Sequence, residues 1–239
     1  MTDQIVSIGA VALMTLVVGG LLGVLQRGRF SFGWLLVAVG LVVVNDFLLT
    51  SGYHHLPRLL PRSGWNWQGK GFALAGTLVI AALPRFGWQK SGLTLRQNRK
   101  GWRTTCVVAI LTCAFFVAIA IHLPNEPFDR ETLVFQLTMP GLEEEPFYRG
   151  ILLLALNEAF RTRARILGIQ LGWGAVLSCM LFGFAHAFDY AHGAFSLDPM
   201  TMAATALPAF ILVWIRERTG SVLLPILLHN FANSISLLL

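Results

Sequence analysis

The sequence predicts an all-α protein, a polytopic transmembrane helical bundle of about eight spans. Three observations predict it. The chain of 239 residues is 55% hydrophobic and only 13% charged, about half the ~25% charge of an ordinary soluble domain. Its mean hydropathy is +0.66. Its apolar residues fall into stretches close to the ~20 needed to cross a bilayer core. Backbone groups in hydrocarbon must be satisfied within their own segment, so such stretches fold as helices. The longest polar stretches, 51–71 and 84–103, are too short to fold alone, and no separate soluble domain is expected.

The candidate spans are 5–25, 31–49, 68–84, 104–122, 141–160, 167–187, 200–215 and 221–239. The first comes after Met1-Thr2-Asp3-Gln4, which lacks the basic region of a cleavable signal peptide. The second carries Asn45-Asp46, read first as polar contacts between helices, with a proton-relay or ion site at Asp46 as the alternative. His122 and Asn157-Glu158 are read in the same way. The third span has the shortest apolar core, Phe72–Leu83. Thr132–Met139 is apolar but too short to cross, and Pro140-Gly141 separates it from the fifth span. It is a re-entrant or interfacial piece, or an extension of that span. Cys106, Cys113 and Cys179 lie in apolar segments without a CxxC pair and are read as packing residues. Trp65, Trp67, Trp88 and Trp102 flank spans, as interfacial anchors do. The mixed basic and apolar segment 92–102 suits a headgroup surface.

The net charge is +6. The basic residues sit in short inter-span loops, which marks topology rather than nucleic-acid binding. Arg27 and Arg29, then Arg85, Lys90, Arg96, Arg99, Lys100 and Arg103, then Arg161, Arg163 and Arg165, then Arg216 and Arg218 fall in alternate loops. That side is expected to be cytoplasmic, which places both termini outside. Glu126, Asp129, Glu131, Asp189 and Asp198 fall on the other side. There the loop 51–71, with Arg58, Arg62 and Lys70, is an exception to the pattern.

Three polar clusters interrupt this apolar background. Glu143-Glu144-Glu145-Pro146-Phe147-Tyr148-Arg149 places four ionisable groups in one span. Each would cost at least ~2.5–3.5 kcal/mol in hydrocarbon, so the cluster pairs internally, lines a wet cavity, or does chemistry. Glu145 and Arg149 are i,i+4 with the acid N-terminal, the favourable order for a pair on one helix face. Glu144, about 100° around the helix, is left as the candidate base. Pro146 suits a first helical turn, so a helix is expected to start near Leu142, with Glu143 solvated near its outer end. The second cluster, Phe182-Gly183-Phe184-Ala185-His186, ends span six. The third, His229-Asn230-Phe231-Ala232-Asn233, puts His229 and Asn233 on one face, where the two can offer donors to one oxygen as an oxyanion hole requires. At about 1.5 Å per residue from Ser221, His229 lies roughly 12 Å and Asn233 roughly 18 Å into the last span. All three clusters then reach the outer half of the membrane.

Together, Glu144-Glu145-x-x-x-Arg149, Phe182-x-x-x-His186 and His229-x-x-x-Asn233, in order and about 40 residues apart, resemble the signature of the CPBP family of intramembrane proteases. That family includes the CAAX prenyl endopeptidases of the Ras-converting-enzyme type and the bacterial Abi proteins. The resemblance covers about 130–239; residues 1–129 match only as spans. Two regions of one integral membrane domain are therefore expected, N-terminal spans over 1–129 and a CPBP-like catalytic core over 130–239. The resemblance implies that Glu144 and His186 activate a water and that His229 with Asn233 holds the oxyanion, while Glu145, Arg149 and Phe182 shape the site. The family has been described both as metal-dependent and as a metal-free glutamate type. The metal-free route is favoured here, with no cofactor. In the alternative, Glu144, His186 and His229 would ligate zinc with one open position; the HExxH spacing is absent.

The expected function is an intramembrane endopeptidase acting on a membrane-associated or C-terminal-tail substrate in the cytoplasmic membrane of a prokaryote. Its partners would be a protein or peptide substrate and the bilayer, with no nucleic acid. The outward site argues against a prenylated substrate, which would arrive from the cytoplasm, and for a membrane tail, a secreted peptide precursor or a peptide pheromone; a span count off by one, at 68–84 or 132–139, would instead turn the site to the cytoplasm. A non-enzymatic membrane scaffold or immunity protein, and a proton-coupled transporter using Asp46, Glu144 and His186, are the alternatives.

Overall fold

The computed structural model describes residues 2–26, 28–52, 56–57, 59–99, 101–122 and 128–239. Arg27, Arg58, Lys100 and Glu126, four of the charges in the inter-span loops, lie outside the described residues. The chain is a helical bundle in which each expected span coincides with a helix. In order these are α1 (Thr2–Leu25), α2 (Phe32–Thr50), α3 (Trp67–Ala82), α4 (Trp102–His122), α5 (Arg130–Glu145), a π-helical turn (Pro146–Leu152), α6 (Leu153–Ala159), α7 (Trp173–Ala187), α8 (Pro199–Thr219) and α9 (Leu223–Ser234). Four of them, α1, α2, α4 and α8, are long and apolar enough to cross a membrane, and α7 and α9 are shorter apolar helices. Exposed residues such as Leu13, Leu21, Ile110 and Phe115 give α1 and α4 the apolar surface that hydrocarbon requires.

Two expectations are corrected. The fifth helix does not begin near Leu142. It begins at Arg130, and α5, the π turn and α6 run on without a break, so 132–139 extends the fifth span. Asp129 supplies the start, because its carboxylate accepts from the Thr132 N–H at 2.7 Å and from its hydroxyl at 2.6 Å, as an N-cap does. Pro140 does not stop the helix, although an interior proline costs ~3 kcal/mol. Asn230 of α9 occupies the disturbed ladder: its Oδ1 accepts from Gly141 N at 2.7 Å and its Nδ2 donates to the Thr138 carbonyl at 3.1 Å. A Cβ on Gly141 would lie 2.6 Å from both Asn230 Oδ1 and the Ile226 carbonyl, so the close approach of α5 and α9 needs glycine there.

The sixth span does not begin at 167. The chain first forms an antiparallel hairpin, β1 (Arg163–Ile166) with β2 (Ile169–Gly172), and α7 starts only at Trp173. A second hairpin, β3 (Phe188–Ala191) with β4 (Ala194–Leu197), joins α7 to α8. Both turns, Leu167-Gly168 and His192-Gly193, have positive φ at both positions, the type I′ geometry that matches strand twist. The first has a leucine where asparagine or glycine is usual, which hid it in the sequence.

The core gathers around the π turn and α6, where Ile151, Leu152, Leu153 and Leu156 are fully buried. Arg216, in the last turn of α8, donates from Nε to the Arg149 carbonyl at 3.0 Å and from Nη2 to the Lys90 carbonyl at 2.7 Å. It holds the loop after α3 against the π turn. Trp65 and Trp67 differ from simple interfacial anchors. Both pack on Phe135, Trp65 stacked at 4.6 Å and Trp67 edge-on at 5.0 Å, and Trp65 donates to the Thr132 hydroxyl at 2.9 Å.

Candidate active site

Pro146 lacks an N–H and its ring crowds the carbonyl one turn back. The helix passes it through the π turn, a geometry frequent at functional sites. The Glu143–Glu145 triplet lies just before this turn and Arg149 within it. Glu145 and Arg149 meet as the spacing requires, with Nη1 to Oε1 at 3.2 Å. The Arg149 guanidinium also lies 4.1 Å from the centroid of the Phe182 ring, a cation–π contact. Phe182 therefore touches the site from α7.

Glu143 and Glu144 have a common partner that the sequence did not suggest. Lys70, in the first turn of α3, places Nζ 2.8 Å from Glu143 Oε2 and 2.5 Å from Glu144 Oε1. Glu143 also accepts from Asn45 Nδ2 at 3.4 Å and is fully buried. The expected solvated Glu143 is thus corrected. The helix starts at Arg130, about 20 Å upstream of the triplet at ~1.5 Å per residue, so Glu143 is far from a helix end.

The other oxygen of Glu144 faces two imidazoles. Oε2 is 3.6 Å from His229 Nε2 and 3.8 Å from His186 Nε2. Both gaps exceed a direct hydrogen bond and are distances at which a bridging water is considered. The far side of each ring is anchored. His186 Nδ1 lies 2.8 Å from the Phe182 carbonyl, which can only accept, so Nδ1 carries the proton and Nε2 is the free nitrogen. His229 Nδ1 lies 2.7 Å from Glu145 Oε1. Glu145 is therefore shared between Arg149 and His229 instead of belonging to Arg149 alone.

Glu144, His186, His229 and Asn233 all line one cavity of about 370 Å³. Asn233 stands further along α9, with Nδ2 3.3 Å from Gln136 Oε1, leaving its second amide hydrogen for another acceptor. Among the described residues, no group of three or more His, Cys, Asp or Glu side chains is placed to hold a metal ion. The Lys70 ammonium already sits on Glu144 Oε1, where a resident cation would have to compete with it. In the metal-dependent alternative, Glu144 Oε2 and the Nε2 atoms of His186 and His229 are the set that would hold zinc.

Lys70, Asn45, Gln136 and Asn230 could not be picked out of the sequence as site residues. Lys70 left one trace: it belongs to the loop whose positive charges broke the topology pattern. Asn45 read as ordinary interhelical glue, and gave no sign of reaching Glu143.

Residues 127–235 match the family described as type II CAAX prenyl endopeptidase Rce1-like. The chain is also 30% identical over 172 residues to the "Uncharacterized 24.3 kDa protein" of Escherichia coli, a match covering 66% of this chain and 70% of that protein. No solved structure matches the chain. Fold and family together define a membrane-embedded protease of the CAAX type. The chain belongs to the CPBP family of intramembrane proteases.

Proposed function

We propose that the protein is an endopeptidase that hydrolyses one peptide bond of a membrane-associated or C-terminal-tail substrate, with water activated by Glu144 and His186. The observation that carries this reading is Glu144 Oε2, held 3.6 and 3.8 Å from two imidazole nitrogens on the wall of a cavity otherwise lined largely by apolar side chains.

A water between Glu144 Oε2 and His186 Nε2 gives its proton to Glu144 while its oxygen bonds the scissile carbonyl carbon. The carbonyl oxygen becomes an oxyanion that accepts from His229 Nε2–H and from the spare Asn233 amide hydrogen. Glu144 then returns its proton to the leaving nitrogen, the C–N bond breaks as the oxyanion re-forms a carbonyl, and a carboxylic acid and an amine leave. No covalent intermediate and no metal enter this scheme. Lys70 lies between Glu143 and Glu144, offsets part of their charge and fixes the unused oxygen of the base.

The alternating basic loops orient this site toward the outer side of a prokaryotic cytoplasmic membrane. A membrane tail, a secreted peptide precursor or a pheromone precursor meets it there, and a prenylated cytoplasmic protein does not. The test is mass spectrometry of a single-span reporter peptide in liposomes with wild-type, His186→Ala and His229→Ala proteins. The wild type should give two fragments and no hydroxamate in hydroxylamine, with each variant slower by about 10²-fold or more. Variants that cut at the wild-type rate would overturn the reading. So would proton-coupled uptake without cleavage that survives His229→Ala and Asn233→Ala.

A further inference from the structure

Glu144 borders two cavities. The first, which also holds His229 and Asn233, has mostly apolar walls that include Trp65, Phe116, Phe135, Pro208 and Leu212. The second, of about 360 Å³, lies on the α1–α2 side and is lined by Gln4, Ser7, Asn45, Asp46, Thr50 and Asp189, among others. Lys70, Glu144 and His186 line both. The base and its imidazole are therefore part of a wall shared by the two cavities.

The two cavities differ in what they can hold. A peptide that fills the first expels its water, yet hydrolysis consumes one water for every bond cut. A buried water needs two to four polar partners, and the second cavity supplies hydroxyl, amide and carboxylate groups along its length. Its lining reaches the protein surface and is framed there. Gln4 and Asp189 are exposed. The Ser7 hydroxyl accepts from Tyr190 N at 2.9 Å and donates to Asp189 Oδ1 at 3.3 Å, which pins β3 to α1 beside the opening. Asn45, on the inner side, donates to Glu143 at 3.4 Å, next to Lys70 and the base.

We infer that the second cavity is a water-binding port, which delivers the nucleophilic water to Glu144 and His186 while the peptide occupies the first. This inference rests on the roles given to those two residues under the proposed function. Substrate and water then approach the base from opposite sides. The balance is one water in per peptide bond cut, with its proton passing through Glu144 to the leaving amine and no other co-reactant.

The port can be tested without turnover. In a full-length protein with Cys106, Cys113 and Cys179 replaced by alanine, single cysteines are placed by Asp46→Cys in the second cavity and by Thr205→Cys in the first. Each is labelled with charged 2-sulfonatoethyl methanethiosulfonate, with and without a reporter peptide whose scissile amide is reduced. The peptide should slow labelling at Thr205→Cys by about tenfold and leave Asp46→Cys unchanged, because it dries only the cavity it fills. Asp46→Cys that is unreactive, or protected as strongly as Thr205→Cys, overturns the port. Ile8→Trp, which fills the second cavity away from the catalytic groups, should lower kcat about tenfold at constant KM; a raised KM at constant kcat would contradict it. Labelling does not depend on cleavage, so its failure is distinct from failure of the protease reading.

Discussion

Helices α1–α4 and helices α5–α9 carry polarity in different ways. The second group bears charged and amide side chains at helical spacing, Glu145 with Arg149 and His229 with Asn233, so that each element announces its partners. The first group is more apolar, and its polar residues near the site are few: Asn45 and Asp46 on α2 and Lys70 on α3. Yet Lys70 of α3 and Asn45 of α2 hold Glu143 and Glu144, and Asp46 lines the cavity behind them. A membrane site can thus be divided between a region that displays its chemistry and one that completes it with isolated residues. The comparison also gives Lys70 a physical reason to exist. Two buried carboxylates side by side repel, and a single ammonium between them relieves both.

The sharpest way to break this comparison is Lys70→Met. It leaves Glu143 and Glu144 buried without their cation, for which the expected loss is ~3–5 kcal/mol, read as a lowered melting temperature in detergent. Adding Glu143→Gln should restore part of that loss, since contacting residues are coupled. If Lys70→Met melts like the wild type, the N-terminal helices do not complete the site.

Glu145→Gln probes the other region. It keeps the shape of the side chain but changes what His229 Nδ1 meets, so the ring loses its orientation. The expected result is a fall of about 10²-fold in kcat with KM unchanged; an equal kcat would leave Glu145 as a partner of Arg149 only. Gly141→Ala tests how tightly α5 and α9 pack on each other. Its Cβ would press on Asn230 Oδ1 and the Ile226 carbonyl at 2.6 Å, and overpacking of this kind costs ~1–3 kcal/mol. A melting temperature equal to that of the wild type would show that α9 can give way.

The smallest effect concerns the helix starts outside the membrane. Asp129 and Asp198 cap α5 and α8, and hydrogen bonds from Thr132 and Thr201 hold their carboxyls below the ordinary aspartate range. A lowered folded-state pKa gives stability that is complete above the unfolded value and is lost as pH falls through the lowered one. Asn66 caps α3 from the other region through its Oδ1, 2.9 Å from Gly69 N, and does not titrate. Acid should therefore loosen α5 and α8 before α3. Asp198→Asn should retain the cap while removing its share of the pH dependence, as read by thermal melts across acidic pH.

Much of the fold was legible because hydropathy sets span length. The eight apolar stretches found their helices, and the errors fell where local chemistry overrides a window average. Pro140 read as a break because Asn230, 90 residues later, could not be seen repairing it. The turn and second strand of the β1–β2 hairpin fall within the expected 167–187 span because Leu167, Ile169 and Leu171 look like membrane. In the site, contacts within one helix turn were readable from spacing, as were the three polar clusters. Contacts between distant spans were not: Lys70 with Glu144, Asn45 with Glu143, and Glu145 with His229 are set by packing alone.

The central claim is that Glu144 activates the water. The direct measurement is the cleavage rate of the reporter peptide by Glu144→Gln protein, beside its melting temperature. A loss of about 10²–10⁴-fold is expected in a protein that melts close to the wild type. Cleavage by Glu144→Gln at the wild-type rate would contradict it.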